Sequence, residues 1–275
     1  MEITDEKAVW LEPSHPNYKR WLRGRELSNE RARIVSEIIS PYKMCENLDI
    51  LDLGSGEGGT SFYFSKLNNV ISYDLSFLRL KRQNHFEHSY SMINGNACSL
   101  PFNNSSFDLI LLQDVIEHVS DRDSLIVELK RVLKSDGLIY LSTPNKYSLF
   151  NIISDPHWGF PLISLFKRKF IKKYFLRFFR KEDFNRKDIA ELLSLKDVYL
   201  LFNDFEINLN TKKIICLVSE NYKGILWSNF HLALYKLIKK YGLLSILKAA
   251  ANNKMGFVNN YLSPTFYIVV KRTDH

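Results

Sequence analysis

The chain has 275 residues, 45% of them hydrophobic and 25% charged, with a formal net charge of +8. That length buries one sizeable core, or one core with an appended lobe, and the composition is that of an ordinary soluble globule. No apolar run is long enough to span a bilayer, and the acidic start Met1–Glu6 lacks a signal-peptide apolar region, so membrane-spanning and secreted classes are set aside. Cys45, Cys98 and Cys216 are odd in number and far apart, which speaks against a disulfide framework or zinc site and suits a reducing cytoplasm.

Residues 1–20 are polar, and Pro13 and Pro16 disfavour an early helix. Leu27 to Ile39 has the spacing of an amphipathic helix, stopped by Pro41, and His15, Tyr18, Trp21, Arg23 and Arg25 lie just ahead of it. That segment either packs over the open end of a sheet or joins the core. Strands are predicted over 48–53, 70–74, 90–94, 107–112, 137–142, about 199–209 and 265–271. Helices are predicted over 59–67, 76–87, 121–133 and 187–194. The alternation argues for a mostly parallel sheet covered on both faces, and the β-rich C-terminal run 265–271 suits a last strand inserted antiparallel. Residues 145–185 and 222–256 do not fit the alternation and are expected as lids over the sheet's carboxyl edge, where ligands of open α/β sheets bind.

The chain is organised around the stretch from Asp49 to Thr60. A buried-type strand runs into Gly54, Ser55, Gly56, Gly58 and Gly59, and a helix follows. Such a turn brings backbone N–H groups and a helix N-terminus to a ligand that meets no Cβ atom. About twenty residues on, a second apolar run ends in Asp74, an acid placed to hold two ribose hydroxyls. A nucleoside-containing ligand is expected. Gly54, Gly56 and Gly59 also satisfy the dinucleotide pattern, which must be weighed beside a plain strand-to-helix turn.

At Asp52-Leu53-Gly54-Ser55-Gly56, Asp74, Phe107-Asp108-Leu109-Ile110 and Asp114-Val115-Ile116-Glu117-His118-Val119, the chain resembles class I S-adenosylmethionine-dependent methyltransferases. The similarity is to the branch that holds ubiquinone-biosynthesis enzymes and many enzymes of glycan and natural-product tailoring. It continues through 95–102, 131–137 and 142–145, covering about residues 45–145. It implies a Rossmann-like α/β fold: a seven-stranded, mostly parallel sheet with an antiparallel last strand, helices on both faces and helical lid insertions. A helical cap over 1–44 and a methyltransferase domain over 45–275 are the expected organisation. The resemblance decides against a dehydrogenase.

It also implies roles toward S-adenosyl-L-methionine. Gly54, Ser55 and Gly56 would pass under the methionine part, and Asp52 would sit near its amino group. Asp74 would accept from the ribose hydroxyls, and Leu75 and Ala97 would flank the adenine. Asn96 stands where the family usually has an aspartate that accepts from the adenine amino group; an amide carbonyl accepts that bond too, without the charge. Gln113 and Asp114 would face the sulfonium end. Each has a plainer alternative: Asp52 capping a turn, Asp74 capping the helix near Ser76, Asn96 as a turn residue.

For a hydroxyl acceptor a general base helps, and two histidines are candidates. His118 follows Glu117 beside the sulfonium end; in the related cyclopropane-forming branch the glutamate of this motif helps hold an active-site anion, or here the pair only fixes the loop. His157 follows Pro156, as in related enzymes with a Pro-His pair in the lid, and Trp158 and Phe160 would shield it from water. No cluster of acids and amides for a metal ion is found after the fourth strand.

The expected reaction is O-methylation of a small-molecule or sugar/glycan hydroxyl in the cytoplasm. The acceptor is free, phosphorylated, nucleotide-linked or lipid-linked, and the neighbouring function class is polysaccharide biosynthesis. Two rivals stand beside it: an RNA methyltransferase using the basic stretch 167–187, and an inactive cofactor-binding scaffold. Nucleic acid is disfavoured by the lack of an appended RNA-binding module. The basic aromatic stretch 163–181 admits peripheral contact with the inner face of a membrane, a phosphorylated substrate, or simple packing with its lysines in water.

Overall fold

A computed structural model describes residues 12–15, 17–87, 89–185, 189–226 and 229–273. Its centre is a seven-stranded sheet of order β3-β2-β1-β4-β5-β7-β6. The strands are β1 Asp49–Leu53, β2 Asn69–Asp74, β3 Ser91–Asn94, β4 Phe107–Gln113, β5 Leu133–Pro144, β6 Phe205–Leu209 and β7 Thr265–Arg272. β1 to β5 pair in parallel, and β7 runs antiparallel to both β5 and β6. This is the Rossmann-like sheet the sequence called for.

Successive side chains of a strand point to opposite faces, so each central strand feeds two cores. Leu51, Ile110, Leu112, Ile139 and Leu141 face one way, against Leu125, Leu129 and Val132 of helix α5 (Arg122–Val132). Ile50, Leu109, Leu111, Leu138 and Tyr140 face the other, against Ile34, Val35, Ile38 and Ile39 of helix α2 (Ser28–Ile39). These apolar contacts fix α2, each buried Ile or Val contributing about 1.5–3 kcal/mol. Shorter helices α1 (Tyr18–Glu26), α3 (Gly59–Phe64) and α4 (Phe77–Lys81) stand around the carboxyl edge of the sheet. α1 begins just past Pro13 and His15, while residues 1–11 and Pro16 lie outside the described residues.

Two expectations fail between β5 and β7. The predicted helix 187–194 is irregular over 189–193, with 186–188 outside the described residues, and the predicted strand about 199–209 begins only at Phe205. A helix, Leu195–Leu201, takes the space between. The reason is a capping box: Ser194 accepts from the backbone N–H of Asp197 while Asp197 accepts from that of Ser194. Leu195, Val198 and Phe202 then fall on one buried face at spacings of three and four, a helical use of β-favouring residues.

The segment after β5 forms a third core of its own. Trp158, Ile163, Ile171, Phe175, Leu176 and Ile189 pack together, and residues 168–179 run as one helical stretch with a widened turn at Ile171–Leu176. The helical segment between β6 and β7 begins at Thr211 rather than at 222, and continues through Asn229–Lys240 and Leu244–Ala250.

Candidate active site

The parallel register brings the carboxyl ends of β1, β2 and β4 level, with Leu53 beside Tyr73 and Asp52 beside Leu111. The chain leaves β1 through Gly54 and Gly56, at φ 76° and 57°. A Cβ on Gly54 would stand 2.4 Å from Cγ2 of Val115, whereas one on Gly56 would meet no atom within 4 Å. Gly54 is therefore demanded by packing against the β4 loop, and Gly56 leaves bare backbone at the edge of the turn.

The turn is held from beneath by a group the sequence reading did not single out. Gln83, fully buried, donates from Nε2 to Ser55 Oγ and to the carbonyl of Gly56, and accepts from Ser72 Oγ at 2.8 Å. Asp74, buried at the end of β2, accepts from the backbone N–H of Gly56 and of Ser76, both at 2.8 Å. The N-cap of α4 is Ser76, so Asp74 braces the turn rather than capping the helix. Asp52 is 2% exposed and accepts from Ser61 Oγ at 2.6 Å; burial, with Asp74 adding to it, pushes its pKa up to about 6. Leu75 is 64% exposed at the rim. Asn96 accepts through Oδ1 from the N–H of Cys98, a turn contact, with Ala97 half-buried beside it.

At the end of β4, Gln113 exchanges hydrogen bonds with Thr60 at 3.1–3.2 Å, tying the β4 loop to α3. Asp114 adopts φ 56° and accepts from Arg31 of α2 at 2.8 Å and from Ser142 Oγ at 3.2 Å. Glu117 is fully buried. Its Oε2 accepts from Thr143 Oγ1 at 3.0 Å, and its Oε1 accepts no hydrogen bond among the described residues but lies 3.8 Å from His157 Nε2. Burial, reinforced by the neighbouring Asp114, pushes the Glu117 pKa up to about 8. His118 and His157 meet edge to face, ring centroids 5.1 Å apart. The fold thus brings together Glu117, His118 and His157 across the lid, their ligand-type atoms all within 4.8 Å, a spacing at which a divalent cation would also be shared. Sequence inspection after β4 alone could not show this trio, because His157 arrives from a separate segment.

The N-terminal segment reaches both the glycine turn and the loop of His157. Trp21 Nε1 donates to Glu57 Oε1 at 3.1 Å, Arg82 Nε donates to the same oxygen at 2.7 Å, and Arg25 stands 3.7 Å from Glu57 Oε2. Asn17 Nδ2 donates to the carbonyl of His157 at 3.2 Å, and His15 Nε2 lies 3.3 Å from Asp183 Oδ2, both buried. A cavity of about 540 Å³ lies at the opposite, amino edge of the sheet, lined by Asp49, Asn69, Ser91, Phe102 and Phe107 among others; none of the residues above reaches it.

Residues 51–141, the stretch from β1 to β5 that carries this edge, match the family model described as a methyltransferase domain. They form a class I S-adenosylmethionine-dependent methyltransferase domain. An uncharacterized protein of Methanocaldococcus jannaschii is 33% identical over 151 residues, 54% of this chain and 63% of its own length. A probable S-adenosylmethionine-dependent methyltransferase of Mycobacterium tuberculosis is 29% identical over 42% of each chain. A ubiquinone biosynthesis O-methyltransferase of Pelagibacter ubique is 28% identical over 40% of this chain and 48% of its own. The chain thus spans about half the length of the curated relatives it matches. Among solved structures, a plantazolicin methyltransferase in complex with SAH superposes with a TM-score of 0.56 at 16% identity, over 96% of this chain and 94% of that one. The methyltransferase fold therefore extends beyond the matched stretch, to β6 and β7.

Proposed function

We propose that this protein transfers a methyl group to a hydroxyl oxygen of a small-molecule or sugar/glycan acceptor, with His157 as the base. The observation that carries this reading is the His157 imidazole lying 3.8 Å from a fully buried carboxyl, Glu117, whose pKa burial pushes up. An imidazole in its neutral form is a competent base, and this ring is held beside Glu117 and His118 at the end of β4.

S-adenosylmethionine, when bound, supplies a methyl carbon on a positively charged sulfur, already activated for displacement. The backbone of Gly54, Ser55 and Gly56, uncovered by any Cβ at Gly56, would hold its methionine part. Asp74 keeps lone pairs beyond its two backbone bonds for the ribose hydroxyls. Leu75, Asn96 and Ala97 stand at the rim that would take the adenine, and Asp52, its pKa raised by burial, would sit near the amino group of the methionine end. Gln113 and Asp114 would face the reacting end, with the Asp114 charge countered by Arg31. His118 packs against the His157 ring and limits its rotation. His157 takes the hydroxyl proton as the oxygen becomes nucleophilic, and Trp158, buried beside it, keeps water out. Orientation of this kind supplies about 7–11 kcal/mol of a barrier, and the base about 10²–10⁴-fold in rate.

The test is transfer of labelled methyl groups to sugar nucleotides and surface-glycan intermediates. His157→Ala is expected to lower kcat about 10²–10⁴-fold with unchanged affinity for the demethylated cofactor. Transfer confined to non-carbohydrate acceptors excludes the glycan reading, and full activity of the variant excludes the base.

A further inference from the structure

The helical run 168–179 has two faces, and the fold uses one of them. Ile171, Phe175 and Leu176 are buried in the lid core, where Phe175 meets Trp158 with ring centroids 5.8 Å apart. Arg168 pins the start of the run to the active-site loop, donating from Nη2 to the carbonyl of Glu117 at 3.0 Å and from Nε to that of Ile189 at 2.6 Å. The outer face carries Phe170, Tyr174 and Phe178 at intervals of four, 41%, 45% and 66% exposed, with Phe179 beside them at 64%. The widened turn at Ile171–Leu176 keeps that four-residue interval on one side of the helix. Lys169, Lys172, Lys173 and Arg177 interleave with the rings, all exposed, and none of them forms an ion pair among the described residues. Residues 156–181 contain no Asp or Glu.

We propose that this face docks on an anionic phospholipid surface. The chemistry is that of a helix lying in a bilayer interface: aromatic rings enter the headgroup–acyl boundary while flanking cations reach lipid phosphates on flexible stems. Charge complementarity selects the occupant, since a stripe of cations without a single acid repels a basic partner and attracts a negatively charged plane. Nucleic acid shares the charge but needs open ring faces for base stacking. Here Phe166 and Phe170 stack on each other at 4.2 Å, and Tyr174 leans against Phe170 at 4.9 Å, tilted by 45°, so the Phe170 faces are already occupied. No helix among the described residues is long and apolar enough to cross a membrane, so the contact is with one leaflet. Because the inner face of the same helix holds Trp158 and the Glu117 loop, docking places the lid directly above lipid headgroups. This inference concerns binding alone and stands whether or not the acceptor is a glycan.

The experiment is flotation of the full chain with phosphatidylcholine–phosphatidylglycerol vesicles and with phosphatidylcholine alone, in low and high salt. Binding is expected to the anionic vesicles only and to weaken with salt. Phe170→Ser and Phe178→Ser, at exposed positions outside the cofactor and base sites, are each expected to lower the partition coefficient about tenfold. Lys172→Ala is expected to lower it about fivefold. The same variants should keep wild-type thermal-shift responses to S-adenosylhomocysteine, which separates lost docking from lost folding. The proposal is overturned by an absence of anionic-vesicle binding, by equal binding to phosphatidylcholine alone, by aromatic variants that float like wild type, or by a single-stranded RNA oligonucleotide that strips the protein from the vesicles.

Discussion

Gly54 and Gly56 are two turn glycines with different burdens. At Gly54 a methyl group meets both a left-handed backbone and the Val115 side chain, at 2.4 Å; at Gly56 it meets only the backbone penalty. Gly54→Ala is expected to displace the β4 loop and abolish S-adenosylhomocysteine binding in calorimetry. Gly56→Ala, costing about 1–2 kcal/mol of backbone strain, should leave a folded protein with weakened binding. Equal affinities for the two variants contradict this picture. Glu117 offers a second test at this scale. Its carboxyl ionises at about 8 in the folded chain against an ordinary 4.5, so between these values the native state keeps a proton the unfolded state has released. The slope of stability with pH is then negative: the contribution is intact below about 4.5 and is lost as pH climbs through about 8. Glu117→Gln keeps the neutral shape, so its melting temperature should decline less than that of wild type between pH 5 and 8.5, by several degrees. Glycines and acids at strand ends announce themselves in a sequence. Gln83 and Arg31 do not, because their partners lie in other segments and nothing local in their neighbourhoods sets them apart from surface residues.

Among elements, the roof over the glycine turn rests on a single carboxylate. Glu57 takes hydrogen bonds from α1 and from the end of α4, and its partners Arg25 and Arg82 are partly exposed. Exposed ion pairs contribute about 0–1 kcal/mol each, so Glu57→Ala should barely move the melting temperature. It should instead release the demethylated cofactor several-fold faster in stopped-flow displacement; an unchanged rate would mean α1 is not part of the barrier. The elements with strong local signals were legible: β1 and β4 because their apolar runs ended at glycine or acid punctuation, β7 because its run is rich in β-branched and aromatic residues. The region before β6 was misread because Val198, Tyr199 and Phe202 favour strands by type, and the capping box at Ser194 overrode that preference. The π-turn within 168–179 had no signal at all; it follows from packing Ile171 and Phe175 into a core built by distant residues.

Across the whole molecule, the two cores on either face of one sheet make the fold a cooperative unit to which the ligand is thermodynamically linked. A ligand that binds only the folded chain, at a hundred times its dissociation constant, adds about 2.7 kcal/mol. For a chain of this size that corresponds to a rise of about 5–10 °C in melting temperature, checked by scanning fluorimetry with S-adenosylhomocysteine. No rise at saturating ligand would remove the cofactor assignment and everything placed upon it.

Residues 17–26 touch both sides of the candidate site, meeting the His157 loop through Asn17 and Glu57, beside the glycine turn, through Trp21. A single tether with two such ends would couple the proposed cofactor side to the proposed acceptor side. On the proposed reading, an outward shift of Trp21 would also loosen the hold of Asn17 on the His157 carbonyl. Coupling of that kind would favour a compulsory order of binding, reagent first and acceptor second.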